Sequence, residues 1–305
     1  MEQGRFCTAT RNVPENKEFT QGIPYTYAFS RKFSKYICAW SLEKSERPLK
    51  LHCPHCQDVY YQSPEFQALG FRYHAPECQA FQAIHAMPLN TTYKMVMKNM
   101  VRTIIRKACE NGWNLQGTVP GRSYIQKEKK WLLHTEVPIG WTTTVAWQDF
   151  EQLVSNREHY GTARFNSRIR MAAKLIKIMP AAIIRTAFPE GYDEALQIRL
   201  AEAICRYECN CFGYFDSDDD TQTGAAIIPS ISYINHSCAP NATTIYYYPG
   251  GPIVLSALKA IPKNHEINIA YCDTKRNKKT RQNYLKDNYF FHCQCPKCHP
   301  ERAPL

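Results

Sequence analysis

The stretch "SYINHSCAPN", residues 232–241, sets a cysteine in a turn of asparagine, histidine, serine and proline. Those neighbours are polar, so Cys238 does not sit where an apolar core cysteine would. The closing stretch "FFHCQCPKCHP", residues 290–300, places Cys293, Cys295 and Cys298 within six positions of one another. That is too tight for disulfides among the three and well spaced for a single metal ion. A structural zinc takes four ligands, usually cysteine and histidine in a tetrahedron. Cys238 is a reasonable fourth; His292, His299, Cys272 and Cys211 are alternatives, and spacing alone does not separate them.

A second quartet lies upstream. "CPHC" at 53–56 and "HAPEC" at 74–78 give Cys53, Cys56, His74 and Cys78 the C-x2-C then H-x3-C spacing of a zinc knuckle, in which each pair is expected to come from one tight turn. His52 and His55 stand beside the motif and could exchange with its histidine. The opening "MEQGRFCTAT" has no apolar leader core, and the chain has no apolar run long enough to span a bilayer. A soluble, intracellular protein is therefore expected, in the nucleus, the cytoplasm or both, with no membrane association. In a reducing compartment, fourteen cysteines point to metal ligation or burial rather than to a disulfide framework.

The formal net charge of +11 suits an acidic partner such as nucleic acid or chromatin. Only "KRNKKTR" at 275–281 is a true basic run, which could also serve nuclear import, and dispersed solvated charge explains much of the remainder. "DSDDD" at 216–220 reads as a solvated loop between strands. Residues 1–30 alternate apolar and polar with Pro14, Asn16, Gly22 and Pro24 as punctuation, which predicts short strands and turns. Residues 36–80 form a small irregular block rich in cysteine, histidine and aromatics. "TYKMVMKNMVRTIIRKA", "AWQDFEQLVS", "IRMAAKLIKIM" and "DEALQIRLAEAICRY" carry apolar residues at helical spacing. Short β-type runs return beyond 209 in "AAIIPSISYI", "ATTIYYYP", "IVLSALKAI" and "EINIAY".

Taken in order, Cys209-Asn210-Cys211-Phe212, Ser232, "NHSCAPN", "EINIAYCD", Arg281, Leu285, Tyr289, Phe291 and the terminal cysteine trio resemble the SET and MYND family of protein lysine methyltransferases. "GRFCTATRNVPENKEF" is similar to that family's first strands, and "YICAWSL" through "HAPEC" to its MYND insert. The resemblance spans Gly4 to Cys298 and is weakest in the helical middle. It implies an α+β fold: a β-rich SET domain of small antiparallel sheets, split by a MYND-like zinc insert and a helical insert, with a zinc-binding segment at the end. The segments would be 1–35 (first SET strands), 36–80 (reduced MYND-like finger), 81–208 (helical insert), 209–274 (second part of the SET core) and 275–305 (post-SET zinc segment).

The chemistry implied by the resemblance is methyl transfer from S-adenosylmethionine to the ε-amine of a protein lysine. Tyr271 matches the family's active-site tyrosine, and Tyr289 and Phe291 match aromatics that wall the lysine channel and pack against the adenine. Asn235 and His236 match the cofactor-binding pair; Gly4, Arg5, Asn210 and Ser232 match weaker cofactor contacts. In the family, the cysteine of the Asn-His-Ser-Cys turn completes the terminal zinc site, which assigns Cys238. On residue type alone, Tyr271 could be a buried strand tyrosine, and Asn235 and His236 could serve only to bond a tight turn. Arg281, Leu285 and Tyr289 share one helical face, so Leu285 reads as core.

Three departures bear on function. The family's MYND module holds two zinc ions, but here Cys38 stands alone, with Ser41, Tyr61 and the Glu65 or Phe66 position in place of its partners. Two zinc ions per chain are expected rather than three. Phe6 replaces a glycine of the cofactor turn, so it must either point away or fill part of the pocket. Asn16 and Asn264 replace glycines of two turns, and asparagine is the next best residue for left-handed geometry. The sequence ends seven residues after Cys298, without the helical domain of larger members, so an open substrate cleft is expected. The partner is a protein with an exposed lysine, met by a monomer. The alternative is a catalytically silent SET-like scaffold that binds protein or nucleic acid.

Overall fold

The computed structural model describes residues 5–114, 124–127, 130–133, 145–191, 193–216 and 221–302. Gly4 and the acidic stretch beyond Asp216 lie outside the described residues. The strands are β1 (Cys7–Thr8), β2 (Glu18–Gly22), β3 (Thr26–Phe29), β4 (Leu51–His52), β5 (Tyr60–Tyr61), β6 (Tyr124–Lys127), β7 (Lys130–Leu133), β8 (Cys211–Phe215), β9 (Gln222–Ile227), β10 (Asn235–His236), β11 (Ala242–Tyr246), β12 (Ile253–Ala257) and β13 (Glu266–Ile269). The α-helices are α1 (Arg31–Ser34), α2 (Pro64–Ala86), α3 (Thr91–Glu110), α4 (Trp147–Glu151), α5 (Thr162–Ile178), α6 (Ala181–Ala187), α7 (Glu194–Asn210) and α8 (Lys278–Tyr289). The α+β class with small sheets holds. Pairing is antiparallel except between β10 and β13, which run parallel.

The chain divides into two units. The first gathers the described parts of Met1–Gly22, Pro229–Tyr246 and Pro252–Leu305. It contains two three-stranded sheets, ordered β1-β13-β10 and β11-β12-β2. β12 is buried along its whole length, as its "IVLSA" sequence requires of a strand covered on both faces. Asn16 and Asn264 adopt φ of 59° and 66°, the left-handed conformation expected of residues that stand in for turn glycines. α8 starts at Asn277, whose side chain accepts the Thr280 amide at 2.9 Å, and buries Arg281 and Leu285.

The second unit, Ile23–Ile228 with Tyr247–Gly251, is built around α3. Asn90 caps that helix by accepting the Tyr93 amide at 2.9 Å, and the helix packs against α2, α6 and β3. α3 also buries charge: Lys98 pairs with Asp58 and donates to the Phe29 carbonyl at 3.0 Å.

The block 36–80 is less irregular than expected, because Pro64–Ala86 is one helix of 23 residues. Ser63 accepts the Phe66 amide at 3.1 Å and Pro64 takes the first turn, where a missing N–H costs nothing. Around Cys38, for which no metal partners are expected, apolar side chains pack together. Cys38, Trp40, Leu42 and Tyr61 are all buried, Trp40 lies 6.0 Å from the Tyr73 ring, and the Ser41 hydroxyl donates to Gln62 at 3.2 Å. Among the described residues, no helix is long and apolar enough to cross a membrane.

Candidate active site and metal centres

In the first unit, β13 is the organising strand. Its parallel register with β10 sets Asn235 opposite Asn268 and His236 opposite Ile269. The turn that follows is clipped in place reciprocally: Asn241 accepts the Asn268 amide at 2.9 Å, and Asn268 accepts the Asn241 amide at 3.2 Å. Tyr271, two residues beyond β13, donates its backbone N–H to His236 Nδ1 at 2.9 Å. The other ring nitrogen therefore carries the proton, and Nε2 lies 3.2 Å from Cys238 Sγ, so the imidazole ties the tyrosine to the cysteine. Burial, reinforced by the nearby Arg281 guanidinium, lowers His236 to about 4. The ring is neutral at pH 7, as this bonding pattern requires.

The Tyr271 hydroxyl donates to the Ile234 carbonyl, and burial pushes the phenol up, so it stays protonated. Its ring meets Tyr289 at 4.8 Å between centroids and His236 at 5.3 Å; Phe291 reaches His236 at 6.0 Å. In a continuous helix, Tyr289 and Phe291 would project about 200° apart. Phe290, with φ of 64°, ends α8 in the left-handed conformation and turns both aromatics toward the same imidazole–phenol pair. Sterics make that conformation uncommon for a bulky residue.

Asn235 donates to the Arg5 carbonyl at 3.3 Å and to Glu266 Oε1 at 3.0 Å. The Arg5 guanidinium lies over the Tyr233 ring at 4.9 Å, next to Ser232, whose amide bonds the Pro229 carbonyl at 3.2 Å. Phe6 is 47% exposed, so its ring is not packed into the core. Asn210 belongs to the second unit, at the end of α7, where it donates to the Val154 and Arg206 carbonyls at 2.8 and 2.7 Å. It is not part of the first-unit cluster.

Cys238, Cys293, Cys295 and Cys298 offer four sulfurs, all within 4.8 Å of one another. Cys238 stands 3.9 Å from Cys293 and 3.6 Å from Cys298. Tetrahedral zinc with Zn–S bonds of ~2.3 Å has S···S edges of about 3.8 Å, so the sulfurs fit one such ion. Among the alternatives for the fourth ligand, His292 is exposed, His299 bonds Glu301 at 2.9 Å and Cys211 lies in the second unit. Cys272 is close, in a group with His236 and Cys238. Sequence reading gave Arg281 no role at this centre. Its guanidinium is buried and donates to Cys298 Sγ at 3.4 Å, where it offsets thiolate charge.

Cys53, Cys56, His74 and Cys78 form the other group, with Cys53 and Cys78 sulfurs 3.5 Å apart and Cys56 Sγ 3.3 Å from His74 Nε2. The His74 and Cys78 pair comes from successive turns of α2, not from a tight turn as the spacing suggested. Four apart on a helix, the two side chains share a face. A third participant was missed. Glu77, 4% exposed, lies 3.1 Å from His74 Nδ1 and accepts two bonds from Arg102, at 2.7 and 2.9 Å. Arg102 also donates to the Tyr27 carbonyl at 2.7 Å. This chain of bonds directs Nε2 at the cysteine sulfurs, the arrangement metal-ligating histidines ordinarily show. Burial works against the Glu77 carboxylate, yet Arg102 and His74 hold it down at about 2.

Comparison with known proteins places this arrangement in a family. The family model for the SET domain matches residues 4–272. The chain belongs to the SET domain family. A SET and MYND domain-containing protein of Dictyostelium discoideum is 24% identical over 97% of this chain and 58% of its own length. The histone-lysine N-methyltransferase ASHR1 of Arabidopsis thaliana is 29% identical over 97% of this chain and 53% of its own. The mouse histone-lysine N-methyltransferase SMYD3 is 21% identical over 90% of this chain and 54% of its own. The chain thus spans little more than half the length of these SET relatives. Those named as enzymes support lysine methylation as the family's activity.

Proposed function

We propose that this SET protein transfers a methyl group from S-adenosylmethionine to the ε-amine of a lysine in a protein substrate, and that it carries two structural zinc ions. The observation that carries the reading is the half-buried Tyr271, whose backbone N–H is held by His236 Nδ1 and whose protonated hydroxyl donates to the Ile234 carbonyl, with its ring against Tyr289. When bound, S-adenosylmethionine supplies an electrophilic methyl on a sulfonium sulfur. Its fit is supported by the polar rim of Arg5, Ser232, Asn235 and Glu266, with Asn235, His236 and Phe291 as the principal contacts; Gly4 and Asn210 remain assignments of the resemblance alone.

A free lysine has a pKa of ~10.4 and is cationic at neutral pH. The Tyr271 and Tyr289 rings form an apolar wall that desolvates the ammonium and favours the neutral nucleophile. Tyr271 acts as a protonated phenol and not as a base: its hydroxyl, anchored on the Ile234 carbonyl, keeps an oxygen available to orient the lysine amine, and holding the two reactants together would supply much of the rate. The zinc ions do no chemistry. The terminal one would join Cys238, two residues from His236, to the segment that carries Phe291. An association of the exposed basic residues Lys275, Arg276, Lys278 and Lys279 with acidic protein or nucleic acid belongs to this proposal as a secondary contact.

The test is calorimetric titration of zinc-loaded protein with S-adenosylmethionine, followed by transfer of labelled methyl to core histones and to a lysine-bearing peptide library. One site per chain is expected. Tyr271→Phe should keep cofactor affinity and lose transfer by about 10²-fold or more, the scale for removing one positioned hydroxyl. No binding by a folded protein with two zinc ions would overturn the enzyme reading and leave the binding scaffold.

A further inference from the structure

A fifth thiol stands at the terminal cysteine quartet. Cys272 follows Tyr271 directly, and its sulfur lies within 4.8 Å of both Cys238 Sγ and the nearest His236 ring nitrogen. It packs against the cluster of Cys238, Leu285, Cys293 and Cys298. Cys238 is 1% exposed and serves both groupings, whereas Cys272 is only half-buried. Four sulfurs saturate a tetrahedral ion, so Cys272 is left beside the centre as a half-buried, non-ligating thiol.

We propose that Cys272 is an oxidation site whose disulfide with Cys238 releases the terminal metal and displaces Tyr271. The inference rests on the zinc reading of the quartet. The oxidant is a peroxide. The Cys272 sulfur, as the accessible partner, displaces water from the peroxide O–O bond and becomes a sulfenic acid. The Cys238 thiolate leaves the metal and attacks it, forming the S–S bond and expelling hydroxide, which takes a proton from solvent to become the second water. In sum, one thiol, one metal-bound thiolate, one proton and one hydrogen peroxide give one disulfide, two waters and a metal short of one ligand, with two electrons passing from sulfur to oxygen.

An S–S bond is ~2.05 Å long, so two sulfurs now up to 4.8 Å apart must approach. Closing that gap moves the residue beside Tyr271 and withdraws one of the four ligands. Cys238 also loses its contact with His236 Nε2, now at 3.2 Å, and through that ring the backbone anchor of Tyr271. Metal release and loss of the site's geometry are therefore one event, reversed by thiol reductant and zinc.

The experiment treats zinc-loaded protein with stoichiometric hydrogen peroxide, follows zinc with a chromophoric chelator and maps disulfides by peptide mass under non-reducing conditions. The expected result is loss of one zinc of two, a Cys238–Cys272 crosslinked peptide, and severalfold slower release with no crosslink in Cys272→Ser. Zinc release from Cys272→Ser at the wild-type rate would overturn the proposal, as would crosslinks confined to Cys293, Cys295 and Cys298. Zinc content before oxidation keeps the two readings apart. A deficit there counts against the metal assignment, whereas the crosslink map decides for or against the Cys238–Cys272 pair in either metal state.

Discussion

Glu77→Gln should cost this protein more than its distance from the phenol suggests. The substitution keeps the side chain's shape and removes its charge. Arg102 then loses the carboxylate that accepts its two bonds at 2.7 and 2.9 Å. Breaking one side of a buried ion pair costs about 3–5 kcal/mol. The Arg102 side chain is 18% exposed and keeps its bond to the Tyr27 carbonyl, so the lower end, ~3 kcal/mol, applies. A second effect acts on the metal. A glutamine N–H presented to His74 Nδ1 would favour the tautomer with the proton on Nε2, the atom needed as ligand. Outer-shell partners of metal-bound histidine are worth about 10–100-fold in affinity. Denaturant unfolding at buffered free zinc reads the first quantity, and competition with a chelator reads the second. Adding Arg102→Met to the variant should restore much of the stability and none of the affinity. Zinc affinity within about threefold of wild type, well short of the 10–100-fold window, would refute the reasoning.

Elemental analysis should find two zinc ions per chain, and three would show that the Cys38 position still holds a metal. Cys238→Ser should remove the terminal zinc and, because that residue meets His236, abolish S-adenosylmethionine binding as well as lower the melting temperature; retained binding would separate the two. Leu285→Ala, at a fully buried position among the terminal thiols, should destabilise by about 2–5 kcal/mol, measured by denaturant melt. Burial opposes ionisation of Asp58, but Lys98 and His85 outweigh it and hold the carboxyl below its usual range. A depressed native value means that its stabilisation is complete above the unfolded pKa of ~3.9 and fades as pH falls through the native one. Asp58→Asn should flatten that acid limb of the stability–pH curve and cost about 3–5 kcal/mol at pH 7, since it leaves Lys98 buried and unpaired.

Much of the helical part was legible because α3, α5 and α7 carry apolar residues at three and four spacings and start at capping residues or small turns. α2 was not, for a physical reason. Its positions 74 and 78 hold ligands where an apolar stripe would put leucines, and Gly70 and Pro76 interrupt the pattern. Strand "AAIIPSISYI" ends at Ile227, just before the proline that cannot donate to a ladder. The cysteine quartets were visible from their spacing, and the choice of Cys238 needed the resemblance. The roles of Glu77, Arg281 and Glu266 at the site were not visible at all. A charged residue is solvated by default, and only folding reveals that Glu266 meets an asparagine 31 positions away or that Arg281 meets a thiol 17 positions on.

The first unit's threading has a consequence for biosynthesis. β1 pairs with a strand some 260 residues later, Cys7 opposite Ile267, and Cys238 meets sulfurs beyond position 292. Chains are made from the amino end, so Cys7 and Thr8 must leave the ribosome and wait, unpaired, while everything between is translated. The aromatic wall and the last three thiols emerge after every strand of the unit has been made. Loop closure over such separations slows folding. A nascent chain interrupted before residue 291 would carry Tyr271 and His236 but neither Phe291 nor a complete quartet, so the unit can assemble only after Cys298 has appeared.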